Sequence, residues 1–438
     1  MKMKYFSIAI LLALVCSLGM SQGTPSTAPS TSYSDQQYLV DINGLPAITG
    51  KWFFVDPYVG NNLSSGRTKA TALKNLDSAY SKCTDLAGDG ICFLSPRSTS
   101  AMTTSYMTTP LVWAKNGITV YGVCAPTMEF GRARVSNLEV TTGSISVLSF
   151  TRGTGTQYDY ITRTTGSFIT NGFHAGQIIR VNTTGNGADA SGTGRTITAV
   201  TATQLTLETL GTLVTETAAN AGATVVENYQ AYLINVSGDN NSFINMHFNN
   251  SETDALGIGG VIVSGDRNYF QNCFITGANG ATAAIDAAGY SLQLLGAQDN
   301  TFKDCTIGSD LTDRANHASC EILFTVDAGK SCERDRFIGC EIQAFVSTGT
   351  AHGAIGSSDA ASIRRDIIFK DCLFRADVTA CATVFIGTTT TLGKIYMINS
   401  YTCNYTNWDD GSANIVRASA AAAVATGGGG LVVVGTER

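Results

Sequence analysis

The residues best equipped for chemistry gather in one polar stretch, "GSDLTDRANHASCE", from Gly308 to Glu321. It carries Asp310, Asp313, Arg314, His317 and Glu321. Two neighbouring carboxylates can divide acid and base roles in glycosidic hydrolysis, and a guanidinium beside them can hold an anionic sugar. On that reading Asp310 and Asp313 form the pair and Arg314 is the substrate clamp, with His317 in the same loop. The competing reading is a solvated loop whose charges keep a broad surface soluble. No other segment supports the cluster at a regular offset. The sequence therefore assigns no catalytic residue, and these four stand only as the enzyme alternative.

The other reactive side chains are more scattered. His247 has outward parity between Met246 and Phe248, His352 lies in a Gly-rich loop, and His174 lies in the turn "NGFHAG". Glu333, Arg334 and Asp335 read as a loop ion-pair group of small energetic weight. Tyr58, Tyr158, Tyr160, Tyr405 and Trp408 can stack on sugars or simply dot the surface. No phosphate loop, zinc motif or Ser/His/Asp signature occurs, so no cofactor and no metal is expected. Of twelve cysteines, eleven remain if Cys16 is removed, and an odd number in an exported chain implies free thiols. Cys83 and Cys92 flank a short loop and can pair, or stay reduced.

The elements that must position these residues come from a repeat. The copies are "NSFINMHF" from Asn241, "NYFQNCFI" from Asn268, "NTFKDCTI" from Asn300, "DRFIGCEI" from Asp335 and "IIFKDCLF" from Ile367, with a weaker "IYMINSYT" from Ile395. Their central residues, Phe243, Phe270, Phe302, Phe337, Phe369 and Met397, are 27, 32, 35, 32 and 28 positions apart. That period suits one coil of a solenoid. Two residues later stand Asn245, Asn272, Asp304, Gly339, Asp371 and Asn399. These types enter the left-handed region most cheaply, so each copy reads as two short strands around a corner. Inward parity resumes just after the corner, at Met246, Cys273, Cys305, Cys340, Cys372 and Ser400. The fold expected is all-β, a right-handed parallel β-helix with internal ladders of Phe and Cys. Cys273, Cys305, Cys340 and Cys372 lack metal-site spacing, and in-register stacking gives poor disulfide torsions, so buried free thiols are expected.

A third strand per coil is read in "YLINVSG" from Tyr232, "GVIVSG" from Gly260, "LQLLGA" from Leu292, "EILFTV" from Glu321, "TVFIGT" from Thr383 and "NIVRAS" from Asn414. The coil near Gly353 has no clear pattern. "GITVYGVC" from Gly117 and "SISVLSF" from Ser144 read as earlier coils, and "GLVVVG" from Gly430 as the last. Leu73, Leu76, Tyr80 and Cys83 fall at helical steps and predict a short N-terminal capping helix. Alternating strands between Gly and Asn turns predict a small inserted antiparallel β-module.

The resulting division is 1–22, a signal-like apolar N-terminus; 23–50, a Ser/Thr/Pro-rich linker; 51–135, the β-helix start with the capping helix; 136–228, the inserted module; and 229–438, the main coils. Lys2 and Lys4 before an apolar run from Phe6 to Leu18 give the signal pattern. Val15 occupies a position where a lipid-attachment site has a small residue, so lipidation at Cys16 is not expected. No membrane span is expected in the mature form. Net charge is −6, charged residues make up 14%, and no basic block occurs, which argues against nucleic acid as a partner.

Two patterns resemble known families. "FVDPYVGNNLSSGRTKATALKNLDSAYSKC" followed by "GDGICFL" is similar to the start of many pectate-lyase-like β-helix proteins. "LVWAKNGITVYGVCAP", "RARVSN", "DRNYFQNCFITG", "DNTFKDCTIGSD" and "FKDCLF" resemble a family of β-helix structural proteins of tailed bacteriophages, from about Trp52 onward outside the insertion. The inserted "ITNGFHAGQIIRV" segment is similar to small β-modules of phage virion proteins. The resemblance implies a non-enzymatic virion component in a capsid decoration, spike or fibre. Its partners would be other virion proteins and itself, as a homotrimer, with a surface glycan as a further partner. The signal-like N-terminus departs from a virion protein assembled in the cytoplasm. It keeps open an exported protein that binds or degrades carbohydrate.

Overall fold

The computed structural model describes residues 48–95, 104–124, 132–154 (without 139 and 146), 157–183, 194–208, 215, 217, 224–251 (without 229), 257–277, 289–309, 312–314, 319–347, 351–388 (without 379), 393–408 and 415–417. The signal-like N-terminus, Cys16, most of the linker, Asp310, His317 and the Gly430 segment lie outside the described residues.

The chain forms a parallel β-helix whose coils contribute strands to three sheets of ten, eight and seven strands. In the first sheet, strands Ser242–Ile244, Tyr269–Gln271, Thr301–Lys303, Arg336–Ile338, Ile367–Lys370 and Ile395–Ile398 pair in parallel and in register. Phe243, Phe270, Phe302, Phe337 and Phe369 therefore stand one above another, with successive ring centroids 4.9, 4.7, 4.7 and 4.4 Å apart and the rings nearly parallel. All five are fully buried. After each ring the backbone turns through a residue with positive φ: Asn245 (63°), Asn272 (49°), Asp304 (52°), Gly339 (65°), Asp371 (54°) and Asn399 (49°). The next strand then belongs to the second sheet.

The cysteine column lines the inside of this corner. Cys273, Cys305, Cys340 and Cys372 donate through Sγ to the carbonyls of Phe243, Phe270, Phe302 and Phe337, the ring residues one coil back, at 3.3–3.6 Å. Ser400 makes the same bond to Phe369 at 3.2 Å. These thiols thus fill space and satisfy carbonyls the corner would leave bare. Every described cysteine with a placed side chain is free, Cys83 and Cys92 included, and burial pushes both of those thiols up to about 12.

A second internal ladder is polar. Asn241, Asn268, Asn300 and Asp335 open the repeat copies and are buried. Asn241 Oδ1 accepts from Ile118 N at 3.0 Å, Asn268 Oδ1 from Asn241 N at 2.9 Å, Asn300 Oδ1 from Asn268 N at 2.8 Å, and Asp335 Oδ1 from Asn300 N at 2.9 Å. Each side chain closes the backbone gap where the third sheet turns into the first. The residue before each also has positive φ: Asn240 (57°), Arg267 (55°), Asp299 (59°) and Arg334 (57°). Asp335 thus ends an amide ladder with a carboxyl, and its Oδ2 has no hydrogen-bond partner.

Burial pushes the Asp335 carboxyl well above its ordinary range; the Asn300 bonds oppose this, and Asp299 and Asp266 add to it. The native state therefore holds this proton more tightly than the unfolded chain, whose carboxyl titrates near about 3.9. The group's contribution is fully present below that value and lost as pH rises through the folded value, by up to about 1.4 kcal/mol per pH unit for one proton. Asp335→Asn is expected to remove this slope and raise Tm at neutral pH while changing little in acid. Thermal melts across pH check it; a variant that melts lower than the parent at pH 7 contradicts it.

The ends and the insertion follow from the same packing. A helix, Leu76–Lys82, buries Leu76, Ala79 and Tyr80 against the first coil. Leu73 precedes the helix and bridges to Val55. Tyr80 Oη accepts from the backbone N–H groups of Ala114 and Lys115 at 2.7 and 2.9 Å. The inserted β-module is a six-stranded antiparallel sheet running from Leu148–Thr151 to Thr224–Asn228, with its own core around Phe150, Phe168 and Ile197. The expectation of an early coil at Ser144 is corrected here: Leu148–Thr151 pairs antiparallel with Tyr160–Arg163 inside the module. Asn228 ties the module down, donating through Nδ2 to Thr108 O and Leu138 O. His174 reaches the same place, with Nε2 2.7 Å from Thr108 Oγ1. Two third-strand readings also change. Gly353–Ser357 is a regular third-sheet strand, and Ile415–Arg417 belongs to the first sheet beside Ile395–Ile398.

Candidate functional site

The polar stretch after Ile307 crosses from the second sheet to the third. The strand it leads into, Cys320–Thr325, turns Ile322 and Phe324 into the core, so Glu321 lies on the opposite face. That face is covered. Glu321 is 1% exposed, Arg314 2% and His352 0%.

Arg314 Nε lies 3.2 Å from Glu321 Oε1, and its Nη2 donates to Gly289 O at 2.5 Å. Ser291, on the adjacent strand of the same sheet, donates to Glu321 Oε2 at 2.6 Å. His352 Nε2 is 3.7 Å from Glu321 Oε1, and its Nδ1 is 3.0 Å from Ser319 Oγ. Burial raises the Glu321 carboxyl, opposed by Arg314 and Ser291. Burial, reinforced by Arg314, holds His352 well below the usual imidazole range, so it is neutral. Burial and Glu321 push the neighbouring Cys320 thiol up to about 12.

Ser319, His352 and Glu321 stand in the order hydroxyl, imidazole, carboxylate. A nucleophile needs that order plus a hydrogen bond at each link and an open face. Here the imidazole–carboxylate gap exceeds hydrogen-bond length, Arg314 occupies the carboxylate, and Ser319 is 4% exposed. What the arrangement can do is fasten the covering segment to the coil.

Asp313 is employed in the same way. Its Oδ1 accepts from Ser347 N at 2.8 Å and its Oδ2 from Ser347 Oγ, while Arg314 N donates to Phe345 O at 2.8 Å. The segment is thereby stitched to the next coil. Of the sequence-derived cluster, the structure brings together Arg314 and Glu321, places Asp313 on the stitch, and does not describe Asp310 or His317. Sequence reasoning missed Ser291, Ser319 and the use of His352 here. Glu321 and His352 sit about one coil apart, and that offset was the available signal.

No protein-family model matches the chain, and no curated protein matches it. Among solved structures it is similar to a pectin methylesterase from Erwinia chrysanthemi, at 12% identity and a TM-score of 0.40, over 83% of this chain and 87% of that one. The chain is a parallel β-helix protein. A rhamnogalacturonan lyase is similar to this β-helix at 12% identity and a TM-score of 0.39, over 81% and 68% of the two chains. The tailspike of Pseudomonas phage phi297 is similar at 10% identity and a TM-score of 0.20, over 78% and 72%. The likeness is one of architecture. Among the described residues no His/Cys/Asp/Glu cluster has the makings of a metal site, and no helix is long and apolar enough to cross a membrane.

Proposed function

We propose that this β-helix is a non-enzymatic structural component of a phage particle, placed in the virion as a decoration, spike or fibre part. The observation that carries the reading is the use made of its densest polar cluster: Arg314, Glu321 and Asp313 are spent on holding a loop to the coils. A buried guanidinium on a buried carboxylate serves the fold, not a substrate. The sequence likeness to phage β-helix proteins supports the same reading. Stacked coils supply stiffness; loops and the inserted module supply contacts to other virion proteins and to further copies of the chain, as in a homotrimer. Mass spectrometry of purified particles tests it. Abundant peptides from this chain are expected, and their absence contradicts the proposal.

One observation favours a second reading, an exported protein that binds or degrades carbohydrate. Lys303, Arg336 and Lys370 project from the outer face of adjacent first-sheet strands, on the face that also carries Tyr269 and Tyr396. Cations among aromatic rings suit an acidic sugar chain. Incubation with an acidic polysaccharide separates the two. Shortening of the polymer overturns the non-enzymatic reading.

A further inference from the structure

The outer face of the first sheet carries, on each of five consecutive coils, one side chain suited to an anionic sugar. In order along the column these are Tyr269, Lys303, Arg336, Lys370 and Tyr396. Phe270, Phe302, Phe337, Phe369 and Met397 alternate with them and fill the core, so all five project outward. They can be reached: Arg336 and Lys370 are exposed, and Lys303, Tyr269 and Tyr396 are half-buried. Among the described residues none of the three cations is in an ion pair.

The other outward positions on these strands are Gln271, Thr301, Ile338, Ile368 and Ile398. None is charged, so the strip holds three cations and no carboxylate in a chain of net charge −6. Asp304 and Asp371 stand at its edge, on the left-handed corner. A polymer running along a strand meets one of the five groups. A polymer running along the column meets all five, at steps of about 4.8 Å and over about 19 Å. The order is ring, cation, cation, cation, ring. Tyr269 Oη donates to Gln271 Oε1 at 3.1 Å, which fixes its ring. That ring and Tyr396 offer apolar faces to sugar C–H groups, and the cations between them offer N–H donors to carboxylates.

We propose that this strip is a track for a linear acidic polysaccharide lying parallel to the column axis, with a carboxylate on every sugar. The step of about 4.8 Å is roughly the length of one sugar unit. A polymer charged on every second sugar reaches Lys303 and Lys370 and leaves Arg336 unmatched. Such a ligand presupposes the second reading above, a chain that binds carbohydrate, and adds the face, the direction and the charge spacing.

Calorimetric titration of the full chain with homopolymeric uronic acid fragments of increasing length, at low salt, tests the track. Saturable binding is expected, tightening with length up to about five sugars and levelling beyond. The same fragments with their carboxyls reduced, and a polymer charged on every second sugar, are expected to bind roughly tenfold more weakly or worse. Combining Lys303→Gln, Arg336→Gln and Lys370→Gln is expected to cost roughly a hundredfold. Lys74→Ala, at an exposed lysine before the capping helix, is expected to change nothing. In the native chain, bound polymer should protect Lys303 and Lys370 from an amine-reactive label and leave Lys74 reactive, a readout that needs no variant to fold. Undiminished binding in the folded triple variant, or Lys303 and Lys370 still labelled under saturating polymer, overturns the track and leaves the carbohydrate reading standing. No saturable heat with any acidic fragment overturns the track as well, and heat from the neutral fragments alone keeps the carbohydrate reading without it. Equal affinity for the alternating polymer, or tighter binding of double-stranded DNA, also overturns the track.

Discussion

Phe302→Ala is expected to destabilise the β-helix by about 3–5 kcal/mol. Phe302 is fully buried, with Phe270 and Phe337 each 4.7 Å away on either side. Removing the ring forfeits its burial and two stacking contacts worth about 0.5–1.5 kcal/mol each. The cavity has little means of closing, because backbone ladders in the first sheet fix the coil spacing. Cys305→Ser, next to the same corner, is the contrast. Serine already holds that position at Ser400 and bonds the carbonyl one coil back, so a cost within about 1 kcal/mol is expected when that bond is kept. Urea denaturation of both variants checks the pair. A loss under about 1 kcal/mol for Phe302→Ala is incompatible with a close-packed ladder.

Arg314→Ala is expected to cost a similar amount, about 3–5 kcal/mol at neutral pH, because it strands the buried Glu321 charge. Glu321 is already raised by burial with Arg314 present, and without that cation its folded value rises further. A carboxyl raised in the native state contributes fully below its unfolded value and loses that contribution as pH rises through the folded one. The variant's deficit should therefore be large at pH 7 and shrink toward pH 4. Replacing both partners, Arg314→Met with Glu321→Leu, should recover most of the loss, since a similar volume is filled with no charge to bury. Equal stability of parent and Arg314→Ala at pH 7 would refute the structural role given to this pair.

Much of the coil was legible because one requirement is local. The corner after each Phe needs a left-handed residue, and only a few residue types take that conformation cheaply, so Asn245, Asn272, Asp304 and Asp371 announce it. The opposite corner was not legible. Two of its left-handed residues are Arg267 and Arg334, types with no such preference. Arg334 is held there by two bonds to Asp299 in the preceding coil, at 2.7 and 2.8 Å. That is a tertiary contact, and no local pattern encodes it. The buried ladder of Asn241, Asn268, Asn300 and Asp335 stood in plain view as the first letter of the repeat copies. Its meaning emerges only when the coils are in register. The polar cluster shows the same limit. Asp313 and Arg314 look solvated as sequence; the burial of Arg314 beside Glu321 and the bonds of Asp313 to Ser347 are tertiary contacts, which residue types alone do not specify. The strand at Ser144 misled because short alternating segments look alike whether their partners run parallel or antiparallel.

The central claim is that coils of unequal length advance the column by one equal step. Ser242, Tyr269, Thr301, Arg336, Ile368 and Tyr396 are successive register partners on the outer face of the first sheet. Pulsed electron–electron resonance between nitroxides at Ser242 and Arg336, Ser242 and Ile368, and Ser242 and Tyr396 measures that step. Expected distances are about 14, 19 and 24 Å, rising by about 4.8 Å per coil whatever the number of intervening residues. Distances that follow sequence separation, or that fail to rise in this order, would contradict the stacked column and everything built on it.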